Sequence, residues 1–242
     1  MPDASNPEGG LILDASGNLY GTAYYGGAFN QGAIFKISAQ GQESVLYSFL
    51  GAPDGAAAIG DLTLDGSGNF YGTTQGGGTG QLCGTGGCGT IFKLTPDGNE
   101  SILYSFKGAG DGVFPFGGVV LDNKGNLFGT TWSGSYFGQG NVFAFSHGTL
   151  KVLHAFTGGT DGGLPEAGLT RDPAGNLYGT AYLGGLFANG CCGVVFKLYP
   201  YKGSTRLSRI TSRSVSSIKR DVKKKLLPRP EARCFLDVQP TV

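Results

Sequence analysis

Two close pairs of cysteines are the residues best placed to do chemistry, because neighbouring thiols can form a disulfide or bind a metal ion. Cys83 and Cys88 flank a glycine-rich insertion, and Cys191 and Cys192 are adjacent in the chain. The spacing is too irregular for a ribbon-type zinc site, and neither pair has a histidine nearby. We therefore expect a loop-closing disulfide between Cys83 and Cys88, with free thiols as the alternative and no metal ligands. Such a disulfide would fit an oxidising compartment.

Histidine chemistry has little support in the sequence. His147 and His154 are the two histidines of the chain, and no serine or cysteine lies in a nucleophile-elbow pattern. No paired carboxylates accompany them. His154 occupies the position that Tyr47 and Tyr104 occupy in equivalent segments, which indicates a structural residue. We expect no catalytic residue and no cofactor.

Four aspartates each lie three residues before a Gly-Asn pair, a spacing that resembles the start of a calcium-binding loop. The pattern lacks the third acidic or amide ligand and the distal glutamate of such a loop. Aspartate can accept hydrogen bonds from its own backbone, and glycine can adopt positive φ, so the pattern predicts turns. The four residues are Asp14, Asp65, Asp122 and Asp172.

A tandem repeat sets the elements that must position these residues. One phrase, Gly-Asn-Leu/Phe-Tyr/Phe-Gly-Thr, occurs at 17–22, 68–73, 125–130 and 175–180. Successive copies begin 51, 57 and 50 residues apart, a period typical of stacked supersecondary units.

Each repeat contains four short apolar segments separated by turn residues, which we name strands a to d. In the first repeat they cover 11–13, 18–23, 33–37 and 45–49. Their β-branched and aromatic residues predict a four-stranded antiparallel sheet with two apolar faces. Radial stacking covers both faces, so the sequence predicts an all-β, β-propeller-like array of four-stranded antiparallel blades. A β-sandwich is the main alternative. Kelch-like and WD-type propellers are less favoured, because Trp132 is the lone tryptophan.

The repeats divide the chain into three parts. Residues 1–8 are interpreted as a partial inter-blade linker, and residues 9–198 as the propeller-like domain, with repeats at about 9–59, 60–116, 117–167 and 168–198. The fourth repeat stops after strand c, which gives three complete repeats and a partial fourth.

Residues 199–242 carry 11 Lys/Arg against 3 Asp/Glu and lack turn punctuation, which favours a disordered or irregular basic tail. A nucleic-acid-binding tail centred on 223–225, or a short helix near 218–227, is a less favoured alternative.

Antiparallel order places the b–c loops and the d–a linkers at the same end of every sheet. That end gathers aromatic rings and a few acids, which suits sugar or peptide recognition, because flat rings stack and polar groups fix orientation. The alternative is that the rings pack between blades and stabilise long loops. The candidate binding residues are Tyr25, Phe29, Asp54, Asp111, Trp132, Tyr136, Phe137, Asp161 and Phe187.

Three motifs recur in fixed order: Leu-x-x-Asp-x-x-Gly-Asn-Leu-Tyr-Gly-Thr, Gly-Thr-Ile-Phe-Lys-Leu and Leu-Tyr-Ser-Phe. Over about residues 9–198, this order resembles the bacterial family of choice-of-anchor tandem repeat GloVer-containing proteins. The resemblance implies propeller-like repeats on an exported or surface-attached protein, and it carries over no catalytic residue. The strand order is also similar to that of streptogramin lyase-like and NHL-type propellers, a likeness of fold that does not supply function. The sequence shows no signal peptide, no recognisable anchor and no apolar run long enough for a transmembrane helix.

These features predict a non-enzymatic, extracytoplasmic repeat protein that acts as a ligand-binding or interaction scaffold, extracellular or at the cell surface by resemblance. Carbohydrate and protein are the candidate ligands, and oligomerisation is one way to close the blade array. Two alternatives stay open. One is a propeller enzyme, a lyase or hydrolase acting on a saccharide or lactone-like substrate. The other is a truncated, non-functional fragment of a longer repeat protein.

Overall fold

The computed structural model describes residues 3–185 and 193–199. These residues form short strands joined by turns, with a single 3-10 turn at Gly84–Gly86 and no α-helix. None of them belongs to a helix long and apolar enough to cross a membrane. Residues 200–242 of the basic tail, and Cys191–Cys192, lie outside the described residues.

The strands follow the repeat in chain order. The first repeat contains β1 (Ala4–Ser5), β2 (Ile12–Leu13), β3 (Leu19–Ala23), β4 (Tyr25–Gly26), β5 (Ala33–Ile37) and β6 (Glu43–Ser48). The second contains β7 (Gly55–Ala56), β8 (Thr63–Leu64), β9 (Phe70–Thr74), β10 (Gly76–Gly77), β11 (Thr90–Leu94) and β12 (Glu100–Ser105). The third contains β13 (Val120–Leu121), β14 (Leu127–Thr131), β15 (Asn141–Ser146) and β16 (Thr149–Ala155). The fourth contains β17 (Thr170–Arg171), β18 (Leu177–Ala181) and β19 (Val194–Leu198).

The longer strands pair as antiparallel sheets that we name blades 1 to 4. Blade 1 has the order β2-β3-β5-β6, blade 2 the order β8-β9-β11-β12, and blade 3 the order β13-β14-β15-β16. Blade 4 has three strands among the described residues, β17-β18-β19. The predicted all-β, propeller-like architecture of four-stranded antiparallel blades is therefore confirmed.

The end of strand d differs from the sequence-based boundary. β6 ends at Ser48, and Phe49 lies just beyond it with its backbone N–H donating to the Gly32 carbonyl at 3.0 Å. A bulge between Ile34 and Phe35 shifts the pairing of β5 with β6, an irregularity that the alternating pattern of apolar residues does not reveal. Phe49 is nevertheless fully buried, so the phenylalanine serves the core although it lies outside the strand.

Each a–b turn is closed by the aspartate of the repeat. In blade 1, the Asp14 Oδ1 atom accepts the backbone N–H groups of Ser16 and Asn18, both at 2.8 Å. Its Oδ2 atom accepts the Asn18 amide at 2.7 Å and the Tyr20 hydroxyl at 2.9 Å. Gly17 completes the turn with φ of 83°. Asp65, Asp122 and Asp172 accept bonds in the same pattern, so these acids build turns.

The recurring Gly-Thr of strand b has two structural uses. A Cβ atom on Gly72 would lie 2.6 Å from the Phe92 ring, so only glycine lets strand c pack its phenylalanine across strand b. On the other face of the sheet, the buried Thr73 hydroxyl donates to the Gly117 carbonyl of blade 3 at 2.8 Å. One residue thus packs the blade, and the next ties it to its successor.

The apolar residues form three cores, one between each pair of successive blades. Between blades 1 and 2 lie Ile34, Phe49, Ala58, Leu62, Phe70, Phe92 and Leu94. Between blades 2 and 3 lie Cys88, Ile91, Phe106, Val113, Val119, Leu127, Phe143 and Phe145. Between blades 3 and 4 lie Val142, Phe156, Leu169, Leu177, Ala181, Val194, Phe196 and Leu198.

Candidate functional site

The b–c loops and d–a linkers meet at one end of the blades, and we name this surface the loop face. Each linker there pairs with the b–c loop of the blade that follows it. β1 pairs with β4, and β7 pairs with β10. Blades 3 and 4 repeat the arrangement with the single bridges Val113–Ser133 and Gly163–Leu183. The loop face is therefore a hydrogen-bonded surface built on the ends of the blade sheets.

The three candidate acids of the loop face are engaged in holding the linkers. The Asp54 Oδ2 atom accepts the Tyr47 hydroxyl at 3.0 Å and the Leu50 N–H at 2.9 Å. Asp111 accepts the Tyr104 hydroxyl and the Lys107 N–H, both at 2.9 Å. Burial and the adjacent acid raise the pKa of each tyrosine, so both stay protonated and keep donating.

Asp161 has the same role, with histidine in place of tyrosine. Its Oδ2 atom lies 3.0 Å from His154 Nε2 and accepts the Thr157 N–H at 3.1 Å. Burial lowers the pKa of His154, against the opposing effect of Asp161, so the neutral ring with a proton on Nε2 fits the contact. His147 lies in the turn after β15 with φ of 48°.

Four of the candidate rings are exposed on this face. Tyr25 and Phe29 of the first repeat are 46% and 56% exposed, and Tyr136 and Phe137 of the third are 82% and 59% exposed. These side chains present flat apolar surface to solvent, the property that the binding hypothesis requires.

Trp132 and Phe187 differ from those four rings. Trp132 is half-buried and stacks on Phe116, with ring centroids 5.6 Å apart, so its contacts are those of a packing residue. Phe187 lies outside the described residues. Sequence reasoning missed Tyr182, which is 67% exposed and follows strand b of blade 4, the position at which Tyr24 follows strand b of blade 1. Comparison of the strand b endings could have identified it.

The Cys83–Cys88 segment also lies on the loop face. The two residues form a disulfide with an S–S distance of 2.08 Å. Cys88 is fully buried, and its carbonyl accepts the Phe114 N–H at 2.9 Å, so the disulfide-closed loop is attached to the linker that leads into blade 3. The described residues contain no group of three or more His, Cys, Asp or Glu side chains that could hold a metal ion.

A pocket of about 200 Å³ between the strand a segments of the four blades is a further feature that no single repeat reveals. Each blade lines it with two or three consecutive residues around the start of strand a. The first of these residues is glycine in blades 1, 3 and 4 and Asp61 in blade 2. The Asp61 carboxylate is exposed and accepts the Gly10 N–H of blade 1. The lining residues are Gly10, Leu11, Ile12, Asp61, Leu62, Thr63, Gly118, Val119, Val120, Gly168 and Leu169.

Solved structures with a similar fold include enzymes. A streptogramin B lyase is 17% identical with a TM-score of 0.52, and the match covers 85% of this chain and 53% of that one. A gluconolactonase from Xanthomonas campestris is 17% identical with a TM-score of 0.50, covering 85% and 68%. A proposed 6-phosphogluconolactonase from Bacteroides uniformis is 16% identical with a TM-score of 0.52, covering 88% and 59%.

Identities this low establish the fold and leave the chemistry open. The chain spans about half the length of the lyase. No curated protein matches the sequence.

The repeat itself supplies the family. The Gloeobacter/Verrucomicrobia repeat matches residues 80–222, more than half of the chain, and extends past residue 198 into the segment that was expected to lie outside the repeats. The GloVer resemblance of the three sequence motifs is thereby confirmed, and the chain belongs to the Gloeobacter/Verrucomicrobia repeat family.

Proposed function

We propose that this protein is a non-enzymatic binding scaffold whose ligand contacts the loop face. The observation that carries the proposal is the set of four exposed rings on that face, Tyr25, Phe29, Tyr136 and Phe137. Rings of this kind stack on sugar faces or on apolar peptide side chains and lose little conformational entropy on binding.

The carboxylates nearby support binding over catalysis. A general acid or base must have a free oxygen within reach of substrate. Asp54, Asp111 and Asp161 each direct one oxygen to a backbone N–H and to a strand d side chain, and the second oxygen of Asp54 and of Asp111 is buried away from the surface where a substrate would bind. Their repetition in successive blades also fits architecture, since a catalytic site is assembled once.

The proposed ligand is a carbohydrate or a protein segment, and the proposed location is extracellular or at the cell surface. The Cys83–Cys88 disulfide supports this location, because disulfides persist in oxidising compartments. The family resemblance points the same way.

A glycan array followed by titration of the best ligand tests the proposal. Replacing Tyr136 and Phe137 with alanine should weaken binding by at least about 10-fold, the scale expected for removing anchor residues. Tyr199→Ala is the matched control, because Tyr199 is also exposed, at 41%, but follows the end of strand c at the opposite end of blade 4.

Two results would contradict the proposal. Equal affinity of the double variant and the wild type would exclude the loop-face rings as the contact surface. Turnover of a bound saccharide or lactone that Asp111→Asn or Asp161→Asn abolishes would instead support a propeller enzyme.

A further inference from the structure

The three internal blade interfaces use the same pair of contacts. Each later blade contributes one apolar residue, directly before strand a, that is almost completely buried, at 3%, 2% and 6% exposure for Leu62, Val119 and Leu169. Each earlier blade contributes the strand b threonine, whose hydroxyl donates to a carbonyl just before the next strand a. The threonine contacts are Thr22 to Gly60 at 3.0 Å, Thr73 to Gly117 at 2.8 Å and Thr130 to Ala167 at 3.1 Å.

Blade 1 presents the receiving half of this interface, and no blade among the described residues packs against it. Leu11 occupies the position of Leu62 but is 48% exposed. Leu19 and Ile37 are likewise half-buried, whereas the equivalent Phe70 and Leu94 are 6% and 1% exposed. An exposed apolar strip at positions that are buried in every later blade indicates a face that is built to be covered.

Blade 4 presents the donating half. Thr180 is exposed, whereas the equivalent Thr22, Thr73 and Thr130 are 1% exposed or less. Val195 is half-buried, and the residues at its position in blades 1 to 3 are completely buried. Those residues are Ile34, Ile91 and Val142.

We propose that blade 4 of one copy of this chain packs against blade 1 of a second copy, so that two copies close a ring. Among the described residues, the two faces carry the two halves of the contact pair that the chain already forms three times, which makes a second copy a partner of matching shape and chemistry. Two copies of a four-blade array supply eight blades, within the roughly four to eight of closed propellers. The ring places two loop faces side by side, and the inference is independent of what the loop face binds.

Sedimentation of the full chain between about 1 and 100 μM tests the inference. The wild type should sediment as a dimer with no larger species. Leu11→Glu and Thr180→Arg should each weaken the dimer by at least about 10-fold, because every head-to-tail contact includes the altered face. Leu64→Glu is the matched control, since Leu64 is 39% exposed on blade 2 and lies outside the proposed interface.

Mixing the two variants gives a result that simple misfolding cannot produce. The mixture retains one intact contact, between blade 4 of the Leu11→Glu chain and blade 1 of the Thr180→Arg chain. It should therefore associate more strongly than either variant alone. Three results would overturn the inference. They are a wild type that stays monomeric, dimers that both substitutions leave intact, and a mixture of the two variants that does not associate.

Discussion

Glu100 offers the sharpest test of the packing between blades 1 and 2. It begins β12, and its side chain lies beside Tyr47 and Asp54 of the first repeat. Glu100 Oε1 and Asp54 Oδ1 are both buried and have no hydrogen-bond partner among the described residues. Burial and the neighbouring Asp54 carboxylate disfavour the charged form of Glu100, and they outweigh the opposing contact with the Tyr47 side chain.

The pKa of Glu100 shows the effect. Burial, followed by the nearby Asp54 carboxylate, raises it from its ordinary value of 4.5 to about 7. The folded protein therefore binds a proton between pH 4.5 and 7 that the unfolded chain releases. The stabilisation is fully present below pH 4.5 and is lost as the pH rises to about 7.

The size of the loss follows from those two values. At about 1.36 kcal/mol per pH unit, the difference between 4.5 and about 7 corresponds to about 3 kcal/mol. Glu100 is only partly buried, and solvent screening reduces this to about 1–2 kcal/mol. Glu100→Gln keeps the shape and removes the charge, so it should raise the melting temperature by about 2–8 °C at pH 8.

Thermal unfolding followed by circular dichroism from pH 4.5 to 8 measures the effect. The difference in melting temperature between the Glu100→Gln variant and the wild type should shrink toward zero as the pH falls to 4.5. Glu166→Gln removes the same formal charge from an exposed site and should follow the wild-type profile. If the melting temperatures of Glu100→Gln and the wild type change in parallel across this pH range, the pKa of Glu100 is not raised and the reasoning is refuted.

Three further predictions concern the architecture. Gly72→Ala should destabilise the fold by about 1–3 kcal/mol in urea unfolding, because the added Cβ atom would lie 2.6 Å from the Phe92 ring. Gly66→Ala is the control and should change the stability little, because its Cβ atom would meet open space. Replacing Cys83 and Cys88 with serine should lower the free energy of unfolding by about 2 kcal/mol, the value for a disulfide that closes a short loop. Mass spectrometry of the wild type without reduction should show no alkylation of either residue. The Asp14 carboxyl should titrate in NMR with a pKa of about 2, since the Asn18 side chain and backbone donate to it; a value near 4 would contradict the turn geometry.

The local elements could be predicted from the sequence because their causes are local. A turn forms where aspartate accepts its own backbone N–H groups and glycine adopts positive φ, as at Asp14 and Gly17. The β-branched and aromatic residues of strand c predicted β5 with the observed bounds, 33–37. The d-strand boundary was missed because a bulge depends on the pairing of two strands, which a single segment does not encode.

The candidate site could be predicted only in outline. The common end of the b–c loops and d–a linkers follows from antiparallel order, and the structure pairs them there. Composition alone does not separate Trp132, which stacks on Phe116, from Tyr136, which is 82% exposed. Composition also does not show that Asp111 accepts a hydrogen bond from the Tyr104 hydroxyl, because the two residues come together only when the linker folds back onto strand d.

The sequence by itself determined the strands, the turns and the propeller-like order of the blades, because each repeat has the same pattern of turn residues and strand-forming residues. Only the tertiary structure decided what each copy of a residue contacts. Leu11 and Leu62 occupy the same position of the repeat, yet one is 48% exposed and the other 3%. Burial depends on whether a neighbouring blade is present, and that is a property of the assembled array.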